Sequence, residues 1–273
     1  IDSNYIYAHY NLGIIFYKLK EFKKSINSYK KTIEINPNHI EAYIDLGMVF
    51  SELGKFKEAK NCYEKLILIN PNHSDVHYNL GNSFNELKDP KKAINCYQKA
   101  IKINSNHSLA HNNLGQVYYK LGNLQKAKNY YEKATNIQSN YAEAYNNLGA
   151  VFRQLREFNK AKSCYEKAIQ INPNHKQANI SLGILLLSMC DFKKGFEKYE
   201  WRNKLTKKSN HIKNLEWQGE DLTDKTILIL SEQGLGDVIQ FARYLYILEK
   251  KYLAKIVFRT NKKIKHLFSK SNF

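Results

Sequence analysis

Proline is scarce in this chain, four residues among 273, and glycine supplies only twelve more. Little therefore interrupts a helix, and most of the backbone can be helical. Long apolar runs are missing too. The longest, Leu182–Leu187, is far short of a membrane span, and no signal peptide is visible. A cytoplasmic location is the resulting expectation. Acidic residues number 25 against 43 Lys and Arg, a formal charge of +18. Such an excess invites a nucleic-acid partner, but its distribution argues against one. About half lies in residues 1–192, interleaved with glutamate (Lys57-Glu58, Glu64-Lys65, Glu132-Lys133, Glu166-Lys167) as on a solvated face. The rest gathers at Arg202–Lys213 and Lys250–Lys270. Lys, Asn, Ile and Tyr are abundant together, as an A+T-rich coding sequence produces, so nucleic acid is not expected. A hydrophobic share of 43% excludes a disordered chain. The chain opens on Ile1 rather than Met and ends at Phe273 after a basic stretch, so it reads as a piece of something longer.

What is present is a repeat. Leu-Gly recurs at Leu12-Gly13, Leu46-Gly47, Leu80-Gly81, Leu114-Gly115, Leu148-Gly149 and Leu182-Gly183, every step being 34 residues. With that glycine as position 8, position 11 is aromatic in five repeats (Phe16, Phe50, Phe84, Tyr118, Phe152). Position 20 is small (Ser25, Ala59, Ala93, Ala127, Ala161, Gly195). Position 24 is always Tyr (Tyr29, Tyr63, Tyr97, Tyr131, Tyr165, Tyr199), and position 32 is Pro at Pro37, Pro71 and Pro173. This pattern resembles the tetratricopeptide repeat family over roughly residues 3–204. The family's tryptophan at position 4 is replaced by His9, Tyr43, His77, His111, Tyr145 and Asn179.

The physics agrees with that likeness. Small residues at positions 8 and 20 let two helices approach closely, and the Tyr and Phe positions fill the space around their crossing. Positions 3, 7, 10, 11 and 14 form an apolar stripe on the first helix, in repeat two Ala42, Leu46, Val49, Phe50 and Leu53. Asp89-Pro90 reads as a cap before a second helix. Asn38, Asn72, Asn106, Asn140 and Asn174 mark turns between repeats. One hairpin cannot bury its own apolar face, so six must stack into a curved solenoid. The expected fold is all-α: repeats at 6–39, 40–73, 74–107, 108–141, 142–175 and 176–204, a linker at 205–224, and an α/β fragment at 225–273.

The period also explains residues that suggest chemistry. Cys62, Cys96 and Cys164 share position 23; stacked equivalents lie about 8–10 Å apart, too far for a disulfide. With Cys190 alone at a helix end, reduced and buried thiols are expected. His73/His77 and His107/His111 have the i,i+4 spacing of a helical metal pair. Yet His39, His73, His107 and His175 share position 34 in the turn, and no carboxylate follows as a metalloprotease needs. No metal is expected.

Position 6 lies roughly 80° from the centre of the stripe and faces the concavity, with positions 2, 9 and 13 beside it. It reads Asn11, Asp45, Asn79, Asn113, Asn147 and Ser181. An amide row can both donate to and accept from an extended peptide backbone. The row looks like the asparagine ladder of O-linked N-acetylglucosamine transferases, which implies peptide contacts at Asn11, Asn79, Asn113 and Asn147; Asp45 and Ser181 depart from it. An Asn-rich chain could equally place Asn at any exposed site. Tyr10, Tyr78, Asn112, Asn146, Tyr119 and Arg153 are further groove candidates. The expected partner is a protein or peptide, or a second copy of the array.

After repeat six the pattern changes. A strand-like run at Thr226–Leu230, the loop 232–237, an amphipathic helix from Val238 to about Lys251 and a strand at Ile256–Arg259 read as the opening of a parallel α/β sheet. A dinucleotide fingerprint fails, because Ile239 stands at the third glycine position. The runs FKKGFEKYEWR, W-x-G-x-D-L and ILILSEQGLGDVIQFARYL resemble bacterial proteins that join such repeats to a heptosyltransferase-like glycosyltransferase domain of two Rossmann-like lobes. That likeness implies an acceptor loop at Gln233, Gly234 and Gly236, with Asp237 as general base. Asp237 could equally cap the following helix. The nucleotide-sugar lobe of such enzymes has no counterpart in this sequence, so no cofactor is expected here.

Overall fold

The computed structural model describes residues 3–205, 221, 223–230, 245, 249–251 and 255–259. Two compact units divide the chain, Ile1–Leu205 and Thr206–Phe273.

The first unit is six helical hairpins. Their first helices are α1 (Ser3–Lys18), α3 (Ile40–Glu52), α5 (Ser74–Glu86), α7 (Ser108–Lys120), α9 (Ala142–Gln154) and α11 (Lys176–Ser188). Their second helices are α2 (Phe22–Ile35), α4 (Phe56–Ile69), α6 (Pro90–Ile103), α8 (Leu124–Ile137), α10 (Phe158–Ile171) and the shorter α12 (Phe192–Tyr199), which runs into a 3-10 turn at Glu200–Leu205. Each of α2, α4, α6, α8 and α10 packs on both its own first helix and the next one, and α12 packs on α11.

The glycine at position 8 and the tyrosine at position 24 form one joint. A Cβ on Gly81 would lie 2.6 Å from the Tyr97 ring, and one on Gly47 2.6 Å from Tyr63. Only a bare backbone admits the ring, and Tyr29, Tyr63, Tyr97, Tyr131 and Tyr165 are accordingly buried. Ser25, the polar member of position 20, is fully buried because its hydroxyl donates to the Gly13 carbonyl at 2.9 Å. The stripe of repeat two is buried through Ala42, Leu46, Val49 and Phe50. Leu53 is not part of it: it stands at the C-cap of α3, past the last helical turn, and is exposed.

In three of the six repeats the residue that replaces tryptophan at position 4 makes the same bond. His77 Nε2 donates to the Pro71 carbonyl at 2.8 Å, His111 Nε2 to Ser105 at 3.0 Å, and Asn179 Nδ2 to Pro173 at 3.2 Å. Each bond ties a first helix to position 32 of the repeat before it. The turns are organised by a residue the sequence reading passed over. Asn36, Asn70, Asn104 and Asn172, at position 31, accept the backbone N–H two residues on. Asp89 caps α6 as expected, accepting from the Lys92 N–H at 3.1 Å. The cysteines divide: Cys62 and Cys96 are buried, Cys164 is half-buried and Cys190 is exposed. Cys190 departs from the expectation because it sits in the turn after α11 with φ +62°, outside the packed hairpin.

In the second unit, β1 (Thr226–Leu230) and β2 (Lys255–Arg259) pair in parallel, Thr226 opposite Lys255 and Leu230 opposite Arg259. Residues 245 and 249–251 between them are helical. Parallel neighbours require a crossover rather than a hairpin, and a helix commonly supplies it. This two-stranded sheet and those few helical residues are all that the described residues show of the expected α/β fragment. Gln233, Gly234, Gly236 and Asp237 lie outside the described residues, as does most of the expected linker.

Candidate peptide-binding groove

Successive first helices approach one another (α5 with α7, α7 with α9, α9 with α11) more closely than successive second helices do. The first helices therefore line the inner side of the curve, and the lysine-rich second helices form its outer side.

On that inner side, position 5 of one repeat meets position 6 of the next. Tyr10 Oη donates to Asp45 Oδ2 at 2.9 Å. Asn113 Nδ2 donates to Tyr78 Oη at 3.2 Å, and Asn147 Nδ2 to Asn112 Oδ1 at 3.0 Å. In repeats three to five the bonds merge into one network. Asn113 Nδ2 also reaches Asn82 Oδ1 at 2.9 Å, which accepts from the Tyr97 hydroxyl at 2.8 Å. Asn112 Nδ2 donates to Asn113 Oδ1, and Asn146 Nδ2 to Asn147 Oδ1. Asn112 and Asn146 are buried, at 3% and 5% exposure, and Asn146 Oδ1 has no partner.

The six position-6 residues thus fall into different states. Asn113 and Asn147 are half-buried and spend amide donors on neighbouring repeats. Asn79 is half-buried and Asn11 exposed, and neither side chain is bonded among the described residues. Asp45 is the one acid of the row. Burial holds its carboxyl above the usual carboxylate range, against the opposing pull of the Tyr10 and Tyr29 hydroxyls. Ser181 accepts from Gln177 at 3.3 Å. Tyr78 and Tyr119 pack partly against the core. Arg153 is half-buried with its Nε unpartnered, and it faces Tyr165 together with Ser181.

Sequence reasoning missed three elements of this surface. Asn82, at position 9, joins Tyr97 to Asn113. The histidines of position 34 cap the next first helix: His39, His107 and His175 Nδ1 each accept a backbone N–H at 3.2 Å. They also stack on position-5 tyrosines, Tyr10 on His39 with ring centres 5.0 Å apart and Tyr78 on His107 at 4.9 Å. His175 Nε2 lies 3.0 Å from Glu143, and this hydrogen bond keeps the Glu143 carboxyl below its usual range. Third, a cavity of about 490 Å³ opens between α1 and α3, walled by Tyr7, Tyr10, Asn11, His39 and Glu41 among others. The bonds between repeats lie at a 35-residue offset between positions 5 and 6, which a 34-residue period does not show.

Family profiles described as tetratricopeptide repeat match residues 6–39, 40–73, 62–95 and 107–174, and one described as TPR repeat matches 81–122. Residues 6–174 are tetratricopeptide repeats. The repeat array is similar to the crystal structure of YrrB, "a TPR protein with an unusual peptide-binding site", at 27% identity and TM-score 0.51, over 62% of this chain and 88% of that one. It is similar to MamA at 25% identity and TM-score 0.55, over 59% and 95% of the two chains. The fold is shared with Pseudomonas aeruginosa pilF, at 20% identity and TM-score 0.64, over 72% and 89%. Among curated proteins nothing matches. Among the described residues no helix is long and apolar enough to cross a membrane.

Proposed function

We propose that the array is an interaction module whose inner face holds an extended segment of a partner protein. The observation that carries this is the pair of unengaged amides, Asn11 and Asn79, on a row whose other asparagines are committed to the scaffold. A free amide on a fixed helix can donate to and accept from one peptide unit without regard to side chain. Asn113 and Asn147 keep acceptor capacity and stand beside them, with Tyr119 and Arg153 as flanking contacts. Tyr78, Asn112 and Asn146 hold the row in place. Similarity to YrrB, which has a peptide-binding site, supports the reading. The test is binding of labelled extended peptides to the full chain. Asn11→Ala and Asn79→Ala should each weaken binding about 3–10-fold, one hydrogen bond's worth. Unchanged affinity in the double variant would discard the amide row.

A second reading makes this module the recruiting arm of a heptosyltransferase-like enzyme, with Asp237 as general base and Gln233, Gly234 and Gly236 in the acceptor loop. It draws support from the sequence runs around residues 192–245 and from the parallel pairing of β1 with β2; no comparison with known proteins adds to it. Residues 1–273 alone should show no sugar transfer from a nucleotide-sugar donor, and turnover by the purified chain would overturn that expectation.

A further inference from the structure

In repeats two and three the outer and inner helices differ in charge. The inner helices α3 and α5 carry Glu41, Asp45, Glu52, Asp75 and Glu86 and no Lys or Arg at all. Their packing partners α4 and α6 carry seven lysines between them. The carboxylates are also uncompensated. Within residues 5–199, every ion pair to Lys or Arg lies on a second helix or the turn entering it, such as Lys60–Glu64 and Lys92–Asp89. The inner carboxylates meet only neutral or weakly basic neighbours: Asp45 the Tyr10 hydroxyl, Glu41 the His39 ring at 3.2 Å, and Asp75 the His107 ring at 3.1 Å. Asp45 is half-buried without a cation, which is costly, while Glu41 and Asp75 stand exposed on the same face; lysines are plentiful one helix away.

The cavity between α1 and α3 has a matching chemistry. Tyr7 is 61% exposed on its wall, Tyr10 stands beside it, and Glu41 closes it with a carboxylate. Aromatic faces with an acid at one end suit an aliphatic stem that ends in a cation. We propose that the first half of the groove, repeats one to three, selects a segment rich in lysine or arginine, with one basic side chain seated in the Tyr7–Tyr10–Glu41 cavity. This deepens the peptide-holding reading above and rests on it. The amides of Asn11 and Asn79 bind the backbone of the segment, and the carboxylates choose its side chains.

The whole-molecule charge makes the test sharp. At +18, long-range attraction favours an acidic peptide, and only a local acidic groove reverses that order. The probes are three fluorescein-labelled twelve-residue peptides of one Ser/Ala/Gly background, bearing four lysines, four glutamates or neither. Anisotropy titration of the full chain at low salt should place the lysine peptide about tenfold tighter than the neutral one. Tyr7→Ala and Glu41→Gln, both at exposed sites, should each remove most of that preference, read as the ratio of lysine-peptide to neutral-peptide affinity; circular dichroism melts confirm that both variants fold. If all three peptides bind alike, or the glutamate peptide binds best, the charge selection is overturned while the peptide-holding reading stands. If none binds, both fall.

Discussion

Asn147 donates its side-chain amide to the side-chain oxygen of Asn112, 3.0 Å away and one repeat earlier. Asn113 does the same to Tyr78 and reaches Asn82 as well. Residues that a sequence pattern groups into one row therefore work as struts in one part of it and as open sites in another. Stability should separate them. Asn113→Ala removes the donor to Tyr78 and Asn82 and leaves the buried Asn112 amide without its acceptor, and should cost about 1–2 kcal/mol in urea unfolding. Asn79→Ala breaks nothing among the described residues and should stay within about 0.5 kcal/mol. Equal costs would show that the two amides are not differently engaged.

His111 is buried where protonation is disfavoured. Its Nε2 must carry the proton, because its partner is a carbonyl; its Nδ1 is buried without a partner. Burial, the largest influence, holds its pKa below the ordinary value. The unfolded chain then takes up a proton near pH 6.5 that the folded one refuses. Stability is full above that pH and declines as pH falls towards the lower folded pKa. Asn179 fills the same position with an amide that bonds the Pro173 carbonyl and does not titrate. His111→Asn should flatten the decline in melting temperature between pH 7.5 and 5.0. An unaltered slope would place the acid sensitivity elsewhere.

Thiol reactivity should follow place in the hairpin. Burial pushes the thiols of Cys62, Cys96 and Cys164 up to about 11. At pH 8 roughly one in a thousand of each is the reactive thiolate. Cys190 is exposed in a turn. Ellman's reagent should titrate one thiol per native chain at once and the other three only after guanidinium. Two or more fast thiols in the native chain, or loss of the fast phase being absent in Cys190→Ser, would contradict this.

Much of the scaffold is written in the sequence, because the repeat prints each packing rule six times. Gly81 and Tyr97 can be paired on paper, since one is always small where the other is always aromatic. The inner face is less legible. Its chemistry lies in bonds between repeats at an offset of 35 residues, so Asn113 and Asn79 look alike until Tyr78 is placed beside Asn113. Helix capping by His107 is equally hidden: a histidine in a turn carries no mark of which nitrogen faces a backbone N–H. Leu53 misleads for a related reason. Its spacing fits the stripe, but the helix ends before it reaches the core.

Asp45 brings stability and recognition into opposition. It is the acid in a row otherwise of amides and a serine, and burial makes its ionised form the disfavoured one. A carboxyl whose folded pKa is raised stabilises the fold most at low pH, and that contribution is lost as pH rises through the folded pKa. At pH 7 the charge is therefore a burden. Asp45→Asn keeps an acceptor for the Tyr10 hydroxyl, removes the charge and restores the residue found in repeats one, three, four and five. Thermal unfolding should show a gain at pH 7 of no more than about 1 kcal/mol, shrinking towards zero near pH 3, where both forms are neutral. The same substitution should weaken the lysine peptide several-fold, because the groove loses a poorly hydrated carboxylate that a cation would relieve. A variant more stable at pH 7 and weaker for the basic peptide is the signature of an acid kept for binding. Destabilisation at pH 7 would instead make Asp45 a structural partner of Tyr10 and nothing more.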